Sequence, residues 1–132
     1  MVTNRTECRV IYGDTDCMGL AYHANYFRWF EMGRTELFRA LGLAYTEIEA
    51  QGVFLPVAEA HCKYVSPISY DDVLEIETTV DKKVRAGFKF NYRLFKAGSK
   101  EKMATGFTKH ACLDRNGKII RTPEFLMELV AE

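Results

Sequence analysis

The chain has 132 residues, 18 basic against 18 acidic, with 48% hydrophobic and 13% aromatic side chains. That is one domain, large enough to bury a core without disulfide or metal staples and too hydrophobic to be disordered. Balanced charge provides no global field for nucleic acid or an anionic membrane, so an anionic ligand has to be met by a local cluster.

Met1-Val2-Thr3-Asn4-Arg5 lacks the apolar run of an export signal, and no segment approaches the roughly 20 apolar residues that span a bilayer. Neither nucleic-acid binding nor membrane insertion is expected. Cys8, Cys17, Cys62 and Cys112 are scattered singly, with no C-x-x-C pair. Reduced thiols in a cytoplasmic protein are the expectation.

Residues 6–12 (TECRVIY) read as a first strand, after which Gly13 and Gly19 bracket a turn-rich loop. Over residues 24–41 the pattern is helical: Phe27, Phe30, Leu37, Phe38 and Leu41 recur at three- and four-residue spacing. Gly33 lies toward the same side, where it predicts close approach to another backbone. Gly42 is a stop signal, and Thr46 with Glu49 has the form of a capping box opening a short second helix.

After Gly52 the period becomes that of strands, over residues 54–64, 73–81, 87–94 and 103–113. The third is the clearest, with Phe88, Phe90, Tyr92 and Leu94 alternating against Lys89, Asn91 and Arg93. Ser66-Pro67, Ala97-Gly98-Ser99 and Asn116-Gly117 supply breaks, the last as a hairpin turn or as the end of the sheet. Pro123 at a first helical position opens a terminal helix over residues 123–130. Consecutive strands without crossovers are antiparallel, and a helix with one apolar face needs a sheet to cover it. The expected class is α+β: one domain over residues 1–132, an antiparallel β-sheet wrapped around one long central helix.

The most informative stretch is residues 12–26 (YGDTDCMGLAYHANY), an acidic loop that runs into the long helix. It places a carboxylate beside a helix N-terminus, where unpaired N–H groups and the dipole favour developing negative charge. A base or nucleophile next to an oxyanion site is enough to hydrolyse an activated acyl group. Asp16 is the candidate carboxylate. It could attack a thioester carbonyl directly or deprotonate a water, and the sequence does not separate the two routes. Asp14 is read as structural.

Residues 12–36, supported by Tyr64-Val65-Ser66-Pro67 and Tyr70-Asp71-Asp72-Val73-Leu74, resemble the hotdog-fold acyl-CoA thioesterases over nearly the whole chain. The branch is the one containing 4-hydroxybenzoyl-CoA thioesterase and the Tol–Pal-associated acyl-CoA thioesterases. The resemblance implies that Asp16 is the catalytic carboxylate, that the backbone N–H of His23 polarises the thioester carbonyl, and that Gly19 lets the loop pass close to substrate. It implies a homo-oligomer, a dimer or a homotetramer, with the site at a subunit boundary, and no metal or cofactor.

Around this frame, the helix start at His23 and Ala24 is expected to hold the carbonyl oxygen. Tyr22, Tyr26, Phe27 and Trp29 are candidates to line an acyl pocket, with Phe27 read as core. Lys82, Lys83, Arg85 and Lys89 are candidates for the CoA phosphates, Lys83 and Arg85 foremost, against the equal claim of a solvated strand end. Glu31 is a reserve carboxylate, more simply read as a partner of Arg34. Cys17 reads as a loop thiol, and His61 and His110 as strand residues without metal partners. The competing functions are an acyl-carrier-protein thioesterase, a hydratase of the same fold, and a non-catalytic acyl-CoA or acyl-carrier binding module.

Overall fold

The computed structural model describes residues 2–81 and 86–131. Among them the order is β1 (Thr3–Arg9), a 3-10 turn (Tyr12–Asp14), α1 (Asn25–Ala40), α2 (Tyr45–Ala50), β2 (Val57–Tyr64), β3 (Val73–Asp81), β4 (Phe88–Lys96), β5 (Lys102–His110) and α3 (Glu124–Leu129). The strands form one sheet in the order β1-β3-β4-β5-β2, antiparallel throughout. It is the α+β arrangement expected, one long helix against an antiparallel sheet.

Alternation along the strands decides which face the helix covers. Leu74, Ile76, Thr78 and Val80 of β3 and Phe88, Phe90, Tyr92 and Leu94 of β4 point inward and are buried. Helix α1 lays Tyr26, Trp29, Phe30, Gly33, Leu37 and Phe38 on them. Phe30 stacks face to face on Tyr92 with centroids 4.3 Å apart, and Phe38 stands edge-on to Phe90 at 5.8 Å. The close approach predicted at Gly33 is present, but it is to side chains of β3. A Cβ there would overlap the Thr78 hydroxyl and lie 2.8 Å from Ile76 Cγ2. The helix sits so tightly that Thr78 Oγ1 is buried with no hydrogen-bond partner among the described residues, a cost of about 1–3 kcal/mol.

Several boundaries differ from expectation for identifiable reasons. β1 begins and ends three residues early because it registers against β3, from Thr3 opposite Thr79 to Arg9 opposite Val73. Helix α2 starts at Tyr45 after an extended Ala44, so Thr46 lies inside it and caps nothing. β2 starts at Val57, since Pro56 has no N–H for the ladder, and Phe54 keeps only an isolated bridge to Leu113. Asn116-Gly117 closes a small turn beyond the sheet, with Gly117 at φ +78°.

Beneath the far half of α1 lies a buried polar chain. His110 Nδ1 is 2.9 Å from the Leu55 carbonyl, which can only accept, so Nδ1 carries the proton. Burial foremost holds the ring pKa down to about 4, with the nearby Arg34 charge adding to the shift against the opposing pull of the Leu55 carbonyl. The ring is therefore neutral, and Nε2 accepts from the Thr108 hydroxyl at 2.8 Å. Thr108 in turn accepts from Tyr92 at 2.6 Å, and the Tyr92 oxygen faces Arg34. Every bond in this run points the same way; a protonated His110 would donate from Nε2 to Thr108 and turn the two hydroxyl bonds toward Arg34, which can only donate. The groups facing it are Arg34 of α1, Tyr45 of α2, and Tyr92 and Thr108 of the sheet.

Because the folded pKa lies below the ordinary histidine value of 6.5, the unfolded chain binds the extra proton. The full stability is present above pH 6.5 and is lost as pH falls toward 4, by roughly 2–3 kcal/mol at pH 4.5. His110→Gln keeps a donor and an acceptor but does not titrate. In urea unfolding it is expected to lose roughly that much less stability than the unmodified protein between pH 7 and pH 4.5. Equal losses would mean that His110 takes up its proton within the fold without penalty.

Candidate active site

The loop between β1 and α1 is organised by Asp14, whose side chain is buried. Asp14 Oδ2 accepts the Ile11 N–H at 2.9 Å, and Oδ1 pairs with the Arg28 guanidinium of α1. The Asp14 carbonyl accepts the Tyr22 N–H at 2.9 Å and the Asn25 side-chain amide at 2.7 Å. One residue thus ties the end of β1, the return arm of the loop and the first turn of α1. Its carboxylate is fully occupied, in agreement with a structural reading.

Asp16 stands at the tip of the same loop, half-buried. Its N–H donates to Leu20 O at 2.8 Å, Gly19 N–H returns to Asp16 O at 3.1 Å, and Thr15 bridges to Ala21. Gly19 adopts φ +77°, a left-handed conformation that keeps this turn short. Asp16 Oδ1 accepts the Met18 N–H at 2.8 Å and, more weakly, the Leu20 N–H at 3.4 Å. Oδ2 has no hydrogen bond among the described residues. The carboxylate is pinned through one oxygen and presents the other.

The return arm delivers Tyr22, His23 and Ala24, all exposed, to the start of α1. Asn25 N–H donates to Tyr22 O at 2.9 Å and Tyr26 N–H to His23 O at 3.4 Å. The N–H groups of His23 and Ala24 have no acceptor among the described residues, at the positive end of a 16-residue helix. They are the pair a developing oxyanion would find. On the other side of that peptide, the Tyr64 hydroxyl of β2 donates to His23 O at 3.2 Å.

The predicted aromatic set divides. Tyr22 lies open with its ring 4.4 Å from that of His23. Trp29 is 1% exposed and belongs to the core, and Phe27 packs half-buried beside it. Tyr26 meets Tyr64 edge to face at 4.6 Å, and the two rings with Val65, Ser66 and Pro67 line a shallow cleft of about 300 Å³. Burial pushes the Tyr26 phenol up to about 12 and the Cys62 thiol to about 11, so both stay protonated.

Other candidates fall away from this place. Glu31 is exposed and sits 3.8 Å from Arg34. Cys17 is an exposed free thiol. His61 stacks on Phe107 at 5.4 Å, and Lys89 lies over the same ring on the outer face of the sheet. Lys82, Lys83 and Arg85 lie outside the described residues. Among the described residues no three His, Cys, Asp or Glu side chains gather as a metal site, and no helix is long and apolar enough to cross a membrane. Sequence reasoning did not single out Tyr64, Asn25 or Arg28. The first two act through single hydrogen bonds to backbone carbonyls, which leave no periodic signal, and Arg28 pairs with a carboxylate fourteen residues away.

Residues 10–130 match the family described as the thioesterase-like superfamily. The chain is 36% identical over 107 residues, 80% of its length and 77% of the relative's, to the acyl-CoA thioesterase YbgC of Haemophilus influenzae. It is 32% identical to the DHNA-CoA thioesterase of Staphylococcus aureus, with a TM-score of 0.88 over 97% of this chain and 86% of that one. At 22% identity, 99% of this chain superposes on 100% of a 4-hydroxybenzoyl-CoA thioesterase variant solved with its 4-hydroxybenzoyl-CoA, TM-score 0.87, a likeness of fold. The helix-bearing antiparallel sheet and the near full-length match together place this chain in the thioesterase-like superfamily, as one of its hotdog-fold thioester hydrolases.

Proposed function

We propose that the protein hydrolyses an acyl-CoA to the free acid and CoA, with Asp16 as base or nucleophile and the N–H groups of His23 and Ala24 receiving the thioester oxygen. The observation that carries this reading is the pairing of a presented Asp16 Oδ2 with two unpaired N–H groups in a single bridged loop. A thioester carbonyl needs little more than an oxygen nucleophile and a fixed place for its oxyanion. Gly19, Tyr22, Ala24 and Tyr26 border the substrate in this reading, and the cleft at Tyr26 and Tyr64 receives the acyl group. Its two rings favour a compact or aromatic acyl chain, in keeping with the aroyl-CoA ester named for the Staphylococcus aureus relative. Lys83 and Arg85 are assigned to the CoA phosphates on sequence grounds. The free thiols of Cys8, Cys17, Cys62 and Cys112 suit a reducing, cytoplasmic setting.

The two loop aspartates separate by experiment. Asp16→Asn removes the base and keeps the shape, so thiol release from a panel of short, long and aromatic acyl-CoAs should fall at least roughly 100-fold with stability unchanged. Asp14→Asn leaves Arg28 without its partner carboxylate and should lower stability by about 1–3 kcal/mol in urea unfolding. Near wild-type turnover in Asp16→Asn would remove Asp16 from the mechanism.

We infer also that the active form is a homo-oligomer built on β2. This strand closes one edge of the sheet, and seven of its eight residues are exposed while the eighth, Cys62, is half-buried. An edge strand so uncovered is a template for pairing with another strand. Ala60→Glu sets a charge on its inner face. Light scattering should give at least twice the chain mass for the unmodified protein and a smaller particle for this variant, with reduced activity. A monomeric, fully active unmodified protein would exclude a shared site.

A further inference from the structure

The structure assigns to Tyr64 a positioning role in this reaction: its hydroxyl holds and polarises the His23–Ala24 peptide so that the Ala24 N–H is aimed and strengthened as an oxyanion donor. The inference rests on the thioesterase reading above and deepens it. His23 O and Ala24 N–H are two ends of one planar amide. A donor on the oxygen draws charge across the amide and makes its N–H a better donor, and such chains strengthen one another. The Tyr64 hydroxyl lies 3.2 Å from His23 O, while the competing helical bond from Tyr26 N–H is longer, at 3.4 Å. The peptide is therefore held from the sheet as well as from within its helix.

The tyrosine is itself fixed at its ring and at its hydroxyl. Its ring stands edge-on to Tyr26 at 4.6 Å, one turn along from the peptide it touches. Cys62, two residues back on the same face of β2, lies beside it. The ring serves the cleft and the contact with Tyr26, and the hydroxyl is free to serve the peptide. The direction follows: Tyr64 donates to His23 O, and the Ala24 N–H at the far end of the amide has no acceptor among the described residues. Tyr64 also stands at the end of the uncovered edge strand, so a partner on β2 would bear on the helix start through this residue.

Tyr64→Phe deletes the hydroxyl and leaves the ring. On the best substrate of the acyl-CoA panel, kcat is expected to fall roughly tenfold with KM within about twofold, since the bond acts on the oxyanion more than on the bound thioester. Tyr70→Phe, which removes an exposed hydroxyl elsewhere, should leave kcat unchanged. A spectroscopic signal that mere packing would not move comes from isotope labels on the histidine carbonyl carbon and the alanine nitrogen. Of the three histidines only His23 and His110 precede an alanine, so such a sample gives two carbonyl–amide cross-peaks. Tyr64→Phe should shift the His23–Ala24 peak and leave the His110–Ala111 peak, whose amide donates to Pro56 O at 3.2 Å, in place. An active protein whose Tyr64→Phe variant keeps its kcat, or keeps both cross-peaks, overturns this inference alone. No turnover by the unmodified protein overturns the thioesterase reading and this inference with it.

Discussion

Everything in this protein depends on how closely one helix is seated on one sheet. The seat is set at Gly33, where a side chain would collide with Thr78 and Ile76 of β3. Because no Cβ intervenes, Phe30 reaches flat contact with Tyr92, and Phe38 drops between Phe88 and Phe90. The stranded Thr78 hydroxyl is the cost of that fit, outweighed by the area of apolar surface removed from water along sixteen residues of helix. A helix fixed so firmly along its length has its first turn fixed as well. The chemistry proposed at that end relies on this rigidity, since oxyanion donors act only when they need not reorganise.

At the helix start two demands conflict. A helix N-terminus buried without partners is costly, yet one that is to bind an oxyanion must keep N–H groups unpaired. The loop resolves this by position. Asp14 takes the buried share, satisfying Ile11 and Tyr22 and pairing Arg28, while His23 and Ala24 stand exposed with N–H groups that have no acceptor among the described residues. Asp16 lies outside that buried knot. Two aspartates two residues apart therefore have opposite environments, one occupied and enclosed, one half-open with a presented oxygen.

The edge strand gives this arrangement a second support. Tyr64 connects β2 to the helix start through a carbonyl, and its ring packs on Tyr26. The proposed pairing at β2 would reach the helix start through this residue, which joins the last position of the strand to the His23–Ala24 peptide.

The sequence by itself determined the fold class and the family. Strict alternation in β4 and the three- and four-residue spacing of α1 depend on local chemistry and read correctly from residue order, whereas the expected absence of crossovers fails, because β2 lies at the far edge beside β5 and β1 pairs with β3. The turn at Gly19 and the beginning of the helix are local features as well, so the loop that carries the candidate Asp16 was legible as a loop leading into a helix. What only tertiary structure decided is non-local. The limits of β1 follow from its register with β3 seventy residues on, and the place of Trp29 in the core follows from where the helix meets the sheet. The direction of the hydrogen bonds running to His110 depends on the acceptor at Leu55, fifty-five residues away. The contact of Tyr64 with His23 joins positions forty-one residues apart through a single hydroxyl. A hydrogen bond between distant residues needs only one donor and one acceptor brought within 3 Å or so by everything else in the fold, and no pattern of neighbours in the chain announces it.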